Sequence, residues 1–244
     1  MPITRPLKIH NNSKDKTPKD QRVLKNIPFF AELSSMEIAE IECLIIKKRV
    51  AKGEVILFEE DTTNYMYIIF LGKVRVVQLS DDGREHILAI HKKWDYFGEM
   101  SLFDGKTQPA TVIAMEDSEI GLLSKQNFER FVLKNEKMLY QFVYMLCLRL
   151  RESWLMLKIM SFSDAEQRVR ATLRNIGQLY GIQDKRGVLV ALKLTHQDIA
   201  NYAAVSRETV SRLLGRFIRQ GEIEIQENKY ILIKSASLKN QFLQ

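Results

Sequence analysis

Features that announce an enzyme, a membrane protein or a disulfide scaffold are scarce in this sequence. Its 244 residues include only two cysteines, five prolines and four histidines. Cys43 and Cys147 lie far apart and outside any CxxC spacing, so this chain alone offers no four-ligand zinc or iron–sulfur site, and both read as small core residues. No run approaches the ~20 consecutive apolar residues of a membrane span. The densest stretch, Met138–Met160, is broken by Arg149, Arg151, Glu152 and Lys158. Residues 1–22 are basic and polar and lack the apolar core of a secretory signal, so a cytoplasmic protein without membrane contact is expected. GxSxG, P-loop and HExxH motifs are also missing, and nothing in the sequence argues for an enzyme.

What is present is positive charge and two kinds of hydrophobic period. The net charge is +7, with 45% hydrophobic residues, enough for two modest cores and suited to an acidic partner such as nucleic acid. Residues 1–24 show no periodicity and read as a mobile basic arm. Ser34 and Ser35 offer caps for a helix to Ile46, with Met36, Ile38, Ile41, Leu44 and Ile45 on its apolar face. From Lys47 to Leu123 the period shortens. Runs at Val55–Phe58, Tyr65–Leu71, Lys73–Gln78, His86–Ile90 and Ala110–Ala114, punctuated by glycines and an Asp81–Gly83 hairpin signal, predict a compact β-barrel or sandwich.

Helical spacing returns at Ser124, and a long helix is expected over Glu136–Met160. Along it Leu139, Val143, Leu146, Leu150, Ser153, Leu157 and Met160 alternate at four and three residues, a coiled-coil seam that predicts a homodimer axis, with packing on the chain's own barrel as the alternative. A short break at Phe162–Asp164 reads as a hinge and domain boundary. The expected domains are therefore a sensor over 25–135, a dimerisation helix and hinge over 136–162, and a C-terminal domain over 163–244. In the last, Ser163 and Asp164 cap a helix through Tyr180, and a turn at Gly181 leads to a strand over Val188–Leu194. Helices over Thr195–Ala203 and Ser206–Gln220 follow, then strands near Ile223–Ile225 and Tyr230–Ile233.

Thr195–Phe217 has the spacing of a helix-turn-helix, with Ile199, Ala200, Val210, Leu213 and Leu214 inward and small Ala203 and Ala204 at the crossing. Arg207, Glu208, Ser211 and Arg212 fall on one side near the start of the second helix. Arginine bonds guanine bidentately and glutamate accepts from cytosine, so this set carries base-reading chemistry. From residue 165 onward there are 13 Lys and Arg against 7 Asp and Glu, a surplus of six in the segment that would meet DNA. Thr195 and His196 at the first helix, with Asn228 and Lys229 at a hairpin wing, extend the candidate contact set.

These motifs resemble the family of the cyclic-AMP receptor protein and the fumarate–nitrate regulator, over roughly Val23–Lys234. The resemblance implies an α+β fold: a cyclic-nucleotide-binding-like jelly-roll barrel, a long dimerisation helix and a winged helix-turn-helix. It also implies a transcription regulator with double-stranded DNA, a second copy of itself and RNA polymerase as partners. Arg207–Arg212, ArgGluThrValSerArg, matches the family motif that reads TGA-containing half-sites: Arg207 on guanine, Glu208 on a complementary cytosine, Ser211 on thymine, and Arg212 on a neighbouring base or phosphate.

The family's phosphate-binding cassette is similar to Gly98–Val112. Gly98, Glu99, Leu102, Phe103, Gly105, Ala110 and Thr111 match, and Met100 and Ser101 lie between them. However, Gln108 and Pro109 stand where the relatives carry the arginine and serine that take the cyclic phosphate. A neutral amide does not replace a guanidinium fork, and proline lacks a backbone donor. Ser153 and Trp154 stand where two hydroxyl residues contact adenine in the cyclic-AMP receptor. This pattern argues against cyclic AMP used in the usual way. Haem stays open through His86, His91 or the amine of Pro2, whereas two distant cysteines argue against an iron–sulfur cluster. The expected mechanism is an effector-linked shift at the hinge that reorients the DNA-binding domains, or constitutive competence if the pocket fills itself.

Overall fold

The computed structural model describes residues 24–235, apart from 28, 29, 32, 81, 82, 163 and 228. The expectations placed on residues 1–23, on Asp81 and Asp82, on Ser163 and on Asn228 fall outside the described residues. The described chain forms two compact units, one of residues up to Leu79 with Leu88–Leu150, the other of Ser80–Ile87 with Arg151 onward.

The first unit opens with a 3-10 turn at Leu24–Asn26, whose Leu24 is buried in the core and so is not part of an arm. Helix α1 (Ser35–Leu44) follows, closed at its start by a capping box in which the Glu37 N–H donates to Ser34 Oγ and the Ser34 N–H donates to Glu37 Oε2 at 2.9 Å. Ile38 and Ile41 are buried, but Met36 is 84% exposed, against expectation. Cys43 is exposed as well. Each lies two residues from an inward isoleucine, about 200° around the helix, which turns it to solvent. Cys147 is exposed too, so neither cysteine is a core residue.

Eight strands then form two antiparallel four-stranded sheets, the jelly-roll arrangement. Strands β1 (Ile46–Val50), β3 (Tyr65–Leu71), β6 (Tyr96–Phe97) and β8 (Ser118–Ser124) lie in the order β1-β8-β3-β6. The other sheet has the order β2-β7-β4-β5, from β2 (Val55–Leu57), β4 (Lys73–Leu79), β5 (Glu85–Lys92) and β7 (Thr111–Ala114). Ile46 begins β1 and does not end the helix, because β1 pairs residue by residue with β8, Ile46 opposite Leu122 and Val50 opposite Ser118. Val50, Ile69, Val74, Val112, Ile120 and Leu122 fill the barrel.

A short helix α2 (Glu99–Asp104) interrupts the strands before β7. After β8, Ser124 caps α3 (Lys125–Phe128), which continues through a π turn at Glu129–Leu133. The long helix α4 (Glu136–Met160) has the bounds its periodicity predicted. Its inner face carries Met138 and Phe142, and Phe142 stacks on Phe103 at 5.1 Å and meets Phe128 edge-on at 5.5 Å. The predicted seam lies on a different face: Val143, Leu150 and Leu157 are 50%, 51% and 68% exposed, so an apolar stripe on this chain stays uncovered.

The second unit packs α5 (Ala165–Tyr180), α6 (His196–Ala203) and α7 (Arg207–Arg219) with a sheet of order β11-β12-β10-β9. Its strands are β9 (Gly181–Asp184), β10 (Gly187–Val190), β11 (Ile223–Ile225) and β12 (Ile231–Lys234). Two expectations are corrected here. Gly181 starts a strand, because β9 pairs antiparallel with β10, Ile182 opposite Leu189. The strand expected to run to Leu194 stops at Val190, which is the last residue paired with β9, opposite Gly181, and lies one past the last pair with β12.

Candidate nucleic-acid interface and sensor cassette

The interface begins with two capped helices. Thr195 caps α6 in a capping box: the Asp198 N–H donates to Thr195 Oγ1 at 3.0 Å, and the Thr195 N–H donates to Asp198 Oδ2 at 2.8 Å. Ser206 caps α7 by accepting from the Thr209 N–H at 3.1 Å. The turn between them passes through Ala204, a non-glycine residue held in the left-handed region at φ 49°. Val210, Leu213, Leu214 and Phe217 bury one face of α7 against Ile199, Ala200 and Ala203 of α6 and the rest of the unit.

Burying that face leaves Arg207, Glu208, Ser211 and Arg212 exposed together on the first turns of α7. The two arginines can donate and the glutamate can accept, which suits base edges in a major groove. The structure also joins two sequence candidates: His196 Nδ1 lies 2.7 Å from Ser211 Oγ. Lys229 is exposed in the wing turn between β11 and β12, at φ 66°, with its N–H donating to the Gln226 carbonyl at 2.8 Å.

Behind this exposed set, ion pairs fix the helix. Arg170 on α5 donates to Glu166 at 2.8 Å and to Glu222, and its guanidinium lies 4.1 Å from the centre of the Phe217 ring. Arg216 on α7 donates to Glu166 at 2.5 Å. The back of α7 is therefore tied to α5 by charge as well as by packing.

In the sensor unit the polar residues turn inward. Gly98 precedes α2 at φ 82°, and a Cβ there would stand 2.8 Å from the Tyr67 ring, so only glycine fits this corner. Glu99, Ser101, Gln108 and Ala110 are buried, whereas Met100 and Pro109 are exposed. Gln108 Nε2 donates to Ser101 Oγ at 2.6 Å. The Gln108 backbone is held too, its N–H donating to the Asp61 carbonyl at 2.8 Å and its carbonyl accepting from the Glu60 N–H at 2.9 Å.

Glu99 is paired with Arg149 of α4, which also donates to the Tyr96 carbonyl and stacks its guanidinium 4.4 Å from the Tyr96 ring centre. Beside it, His91 is half-buried and stacked parallel to Phe97. Burial, with the Arg149 charge adding to it, lowers its pKa to about 3, so the imidazole is neutral. Burial raises the pKa of Asp95. Ser153 and Trp154 are exposed, and His86 is half-buried on β5. Among the described residues no group of three or more His, Cys, Asp or Glu is placed to hold a metal ion.

Sequence reasoning missed Arg149 as a site residue and noted it only as a break in an apolar run. Its position seven residues after the inward Phe142, on the same side of the helix, was the available signal.

Comparison with known proteins agrees with both halves. The family model described as "Cyclic nucleotide-binding domain" matches residues 47–135, and "Crp-like helix-turn-helix domain" matches residues 167–240. An anaerobic regulatory protein of Bacillus subtilis is 26% identical over 84% of this chain and 87% of its own length. A cyclic AMP receptor protein of Thermus thermophilus is 28% identical over 83% and 90%. In fold, FixK2 from Bradyrhizobium japonicum matches with a TM-score of 0.71 at 23% identity, covering 82% of this chain and 98% of that one. Among the described residues no helix is long and apolar enough to cross a membrane. With its cyclic-nucleotide-binding-like jelly roll and its helix-turn-helix, the chain belongs to the Crp/Fnr family of DNA-binding transcription regulators, which are not enzymes.

Proposed function

We propose that this regulator works in the cytoplasm as a homodimer, reads an inverted repeat with TGA-containing half-sites, and does not use cyclic AMP in the manner of the receptor it resembles. The exposed set Arg207, Glu208, Ser211 and Arg212 on α7 carries the DNA reading. The uncovered stripe of Val143, Leu150 and Leu157 on α4 supports dimerisation through paired long helices, with the two α7 helices about one turn of DNA (~34 Å) apart. Contact with RNA polymerase follows from the family.

The sensor half of the proposal rests on Gln108. The resemblance puts a phosphate-binding arginine at this position, and here a neutral amide is buried and bonded to Ser101. Pro109 contributes no N–H. The nearby cation, Arg149, is already engaged by Glu99. A cyclic phosphate entering this cassette would lack a dedicated cation, and an unpaired anion in a largely dry site is disfavoured by several kcal/mol. The residues present do not fit the usual nucleotide mode, so a different effector, or none, controls this chain.

The test is fluorescence anisotropy of a duplex carrying an inverted TTGA/TGTGA-type repeat, against a scrambled duplex, at fixed salt and with or without cyclic AMP. We expect preference for the repeat that does not depend on the nucleotide. Strong nucleotide dependence would overturn the sensor reading and leave the DNA reading standing. Equal binding of both duplexes would overturn the DNA reading.

A further inference from the structure

We infer that His196 is a specificity-determining residue that acts through the hydroxyl of Ser211, an inference that rests on the base-reading role proposed for α7. A serine hydroxyl has one hydrogen and two acceptor lone pairs, and a freely rotating one serves donors and acceptors on base edges alike. Ser211 is not free to do so. His196 Nδ1 lies 2.7 Å from its oxygen, close enough to take or supply one hydrogen.

Both ends of this contact are held by their helices. His196 is the first residue of α6, directly after the Thr195–Asp198 capping box. Ser211 lies on the second turn of α7, next to buried Val210, on a helix capped by Ser206. The imidazole is half-buried while the contact itself is exposed, so Ser211 stays within reach of a base edge.

The consequence is a hydroxyl whose polarity depends on the hydrogen of Nδ1. When Nδ1 carries no hydrogen, Ser211 donates to it and offers only lone pairs to DNA, which suits the amino groups of cytosine or adenine. When Nδ1 carries a hydrogen, Ser211 accepts with one lone pair and keeps its own hydrogen and a second lone pair, so the contact stays tolerant. The selective preference therefore comes from the first state, in which His196 restricts the hydroxyl without touching the base itself.

The experiment measures the affinity of the full-length protein for duplexes carrying each of the four bases at each half-site position. The variants are Ser211→Ala, His196→Phe, His196→Asn and the pair His196→Phe with Ser211→Ala. Ser211→Ala identifies the position it reads, where we expect the wild-type preference of roughly fivefold, the scale of one hydrogen bond, to flatten. His196→Phe keeps a ring but removes Nδ1, and it should flatten the same position and no other. His196→Asn places an amide atom near the site of Nδ1 and should restore part of the preference. The pair should flatten no more than Ser211→Ala alone.

The inference is overturned if His196→Phe leaves the profile unchanged, or if it weakens every duplex equally, scrambled DNA included, as loss of a phosphate contact would. It is also overturned if Ser211→Ala alters no position. Should His196→Phe fail to fold, His196→Asn and Ser211→Ala decide between these outcomes. Failure of the underlying DNA reading is recognised separately, because the wild-type protein then shows no preference for the repeat over scrambled DNA before any variant is made.

Discussion

In the sensor unit Glu99, Ser101 and Gln108 face the interior and meet partners from the same unit, whereas in the DNA-binding unit Arg207, Glu208 and Arg212 face outward from a helix whose other side is buried. Both groups descend from short motifs of the same family. The difference lies in what supports them. The cassette's charge, Glu99, is met by a guanidinium from α4, while the charged residues of α7 that tie it to α5 lie behind its exposed set, through Arg216 and the Arg170–Glu166–Glu222 network. A closed polar site works as structure and an open one works as recognition, so damage to the first should appear as lost stability and damage to the second as lost affinity.

The sharpest way to break this contrast is Arg149→Met. Removing the cation leaves Glu99 buried beside Tyr96, and loss of one member of a buried ion pair destabilises by about 3–5 kcal/mol. Urea unfolding followed by Trp94 fluorescence, in a Trp154→Phe background so that the signal reports the sensor unit, should show this loss, and adding Glu99→Gln should recover part of it. If Arg149→Met leaves stability intact, the Glu99–Arg149 pair does not hold the cassette closed.

On the open side, Arg207→Ala should lower affinity for the repeat by about 1–3 kcal/mol and relax selection at one base, with unfolding unchanged. Equal weakening on all sequences would reassign Arg207 to phosphate.

A third measurement uses His91, whose pKa falls from 6.5 to about 3 in the folded protein. The unfolded imidazole binds a proton that the folded one refuses. This group therefore leaves stability unaffected above about pH 6.5 and reduces it as pH falls toward 3, with a slope of up to about 1.4 kcal/mol per pH unit. Comparing His91→Leu with the wild type at pH 7.5 and pH 5 isolates the effect, since the variant should lose less stability on acidification. The smallest expected change is Thr195→Ala, which opens the capping box of α6 and should lower the stability of the DNA-binding unit by about 1 kcal/mol.

The parts legible in the sequence were those fixed by local rules. The bounds of α4 followed from its sustained period, and α6 and α7 lie within a residue of the helices expected over Thr195–Ala203 and Ser206–Gln220. The parts that were not legible depend on pairing across the fold. Lys47, Lys48 and Arg49 carry no strand signature, yet they lie in β1 because β8 sits beside them. Gly181–Asp184 reads as a turn and is held extended by β10. In the sites, Arg207 and its neighbours could be placed from helical geometry alone, but the meeting of Arg149 with Glu99 spans 50 residues. The contact of His196 with Ser211 depends on how two helices cross, and no spacing rule announces it.

Ala204 holds a left-handed backbone that L-residues other than asparagine and aspartate seldom adopt, at the corner where α6 hands the chain to α7. Its side chain is exposed and belongs to neither the reading face nor the core. The strain is therefore separable from recognition. Glycine at this corner would relieve it and offset the greater freedom it gives the unfolded chain, so this chain holds an unused route to heat tolerance that lies apart from its exposed basic set.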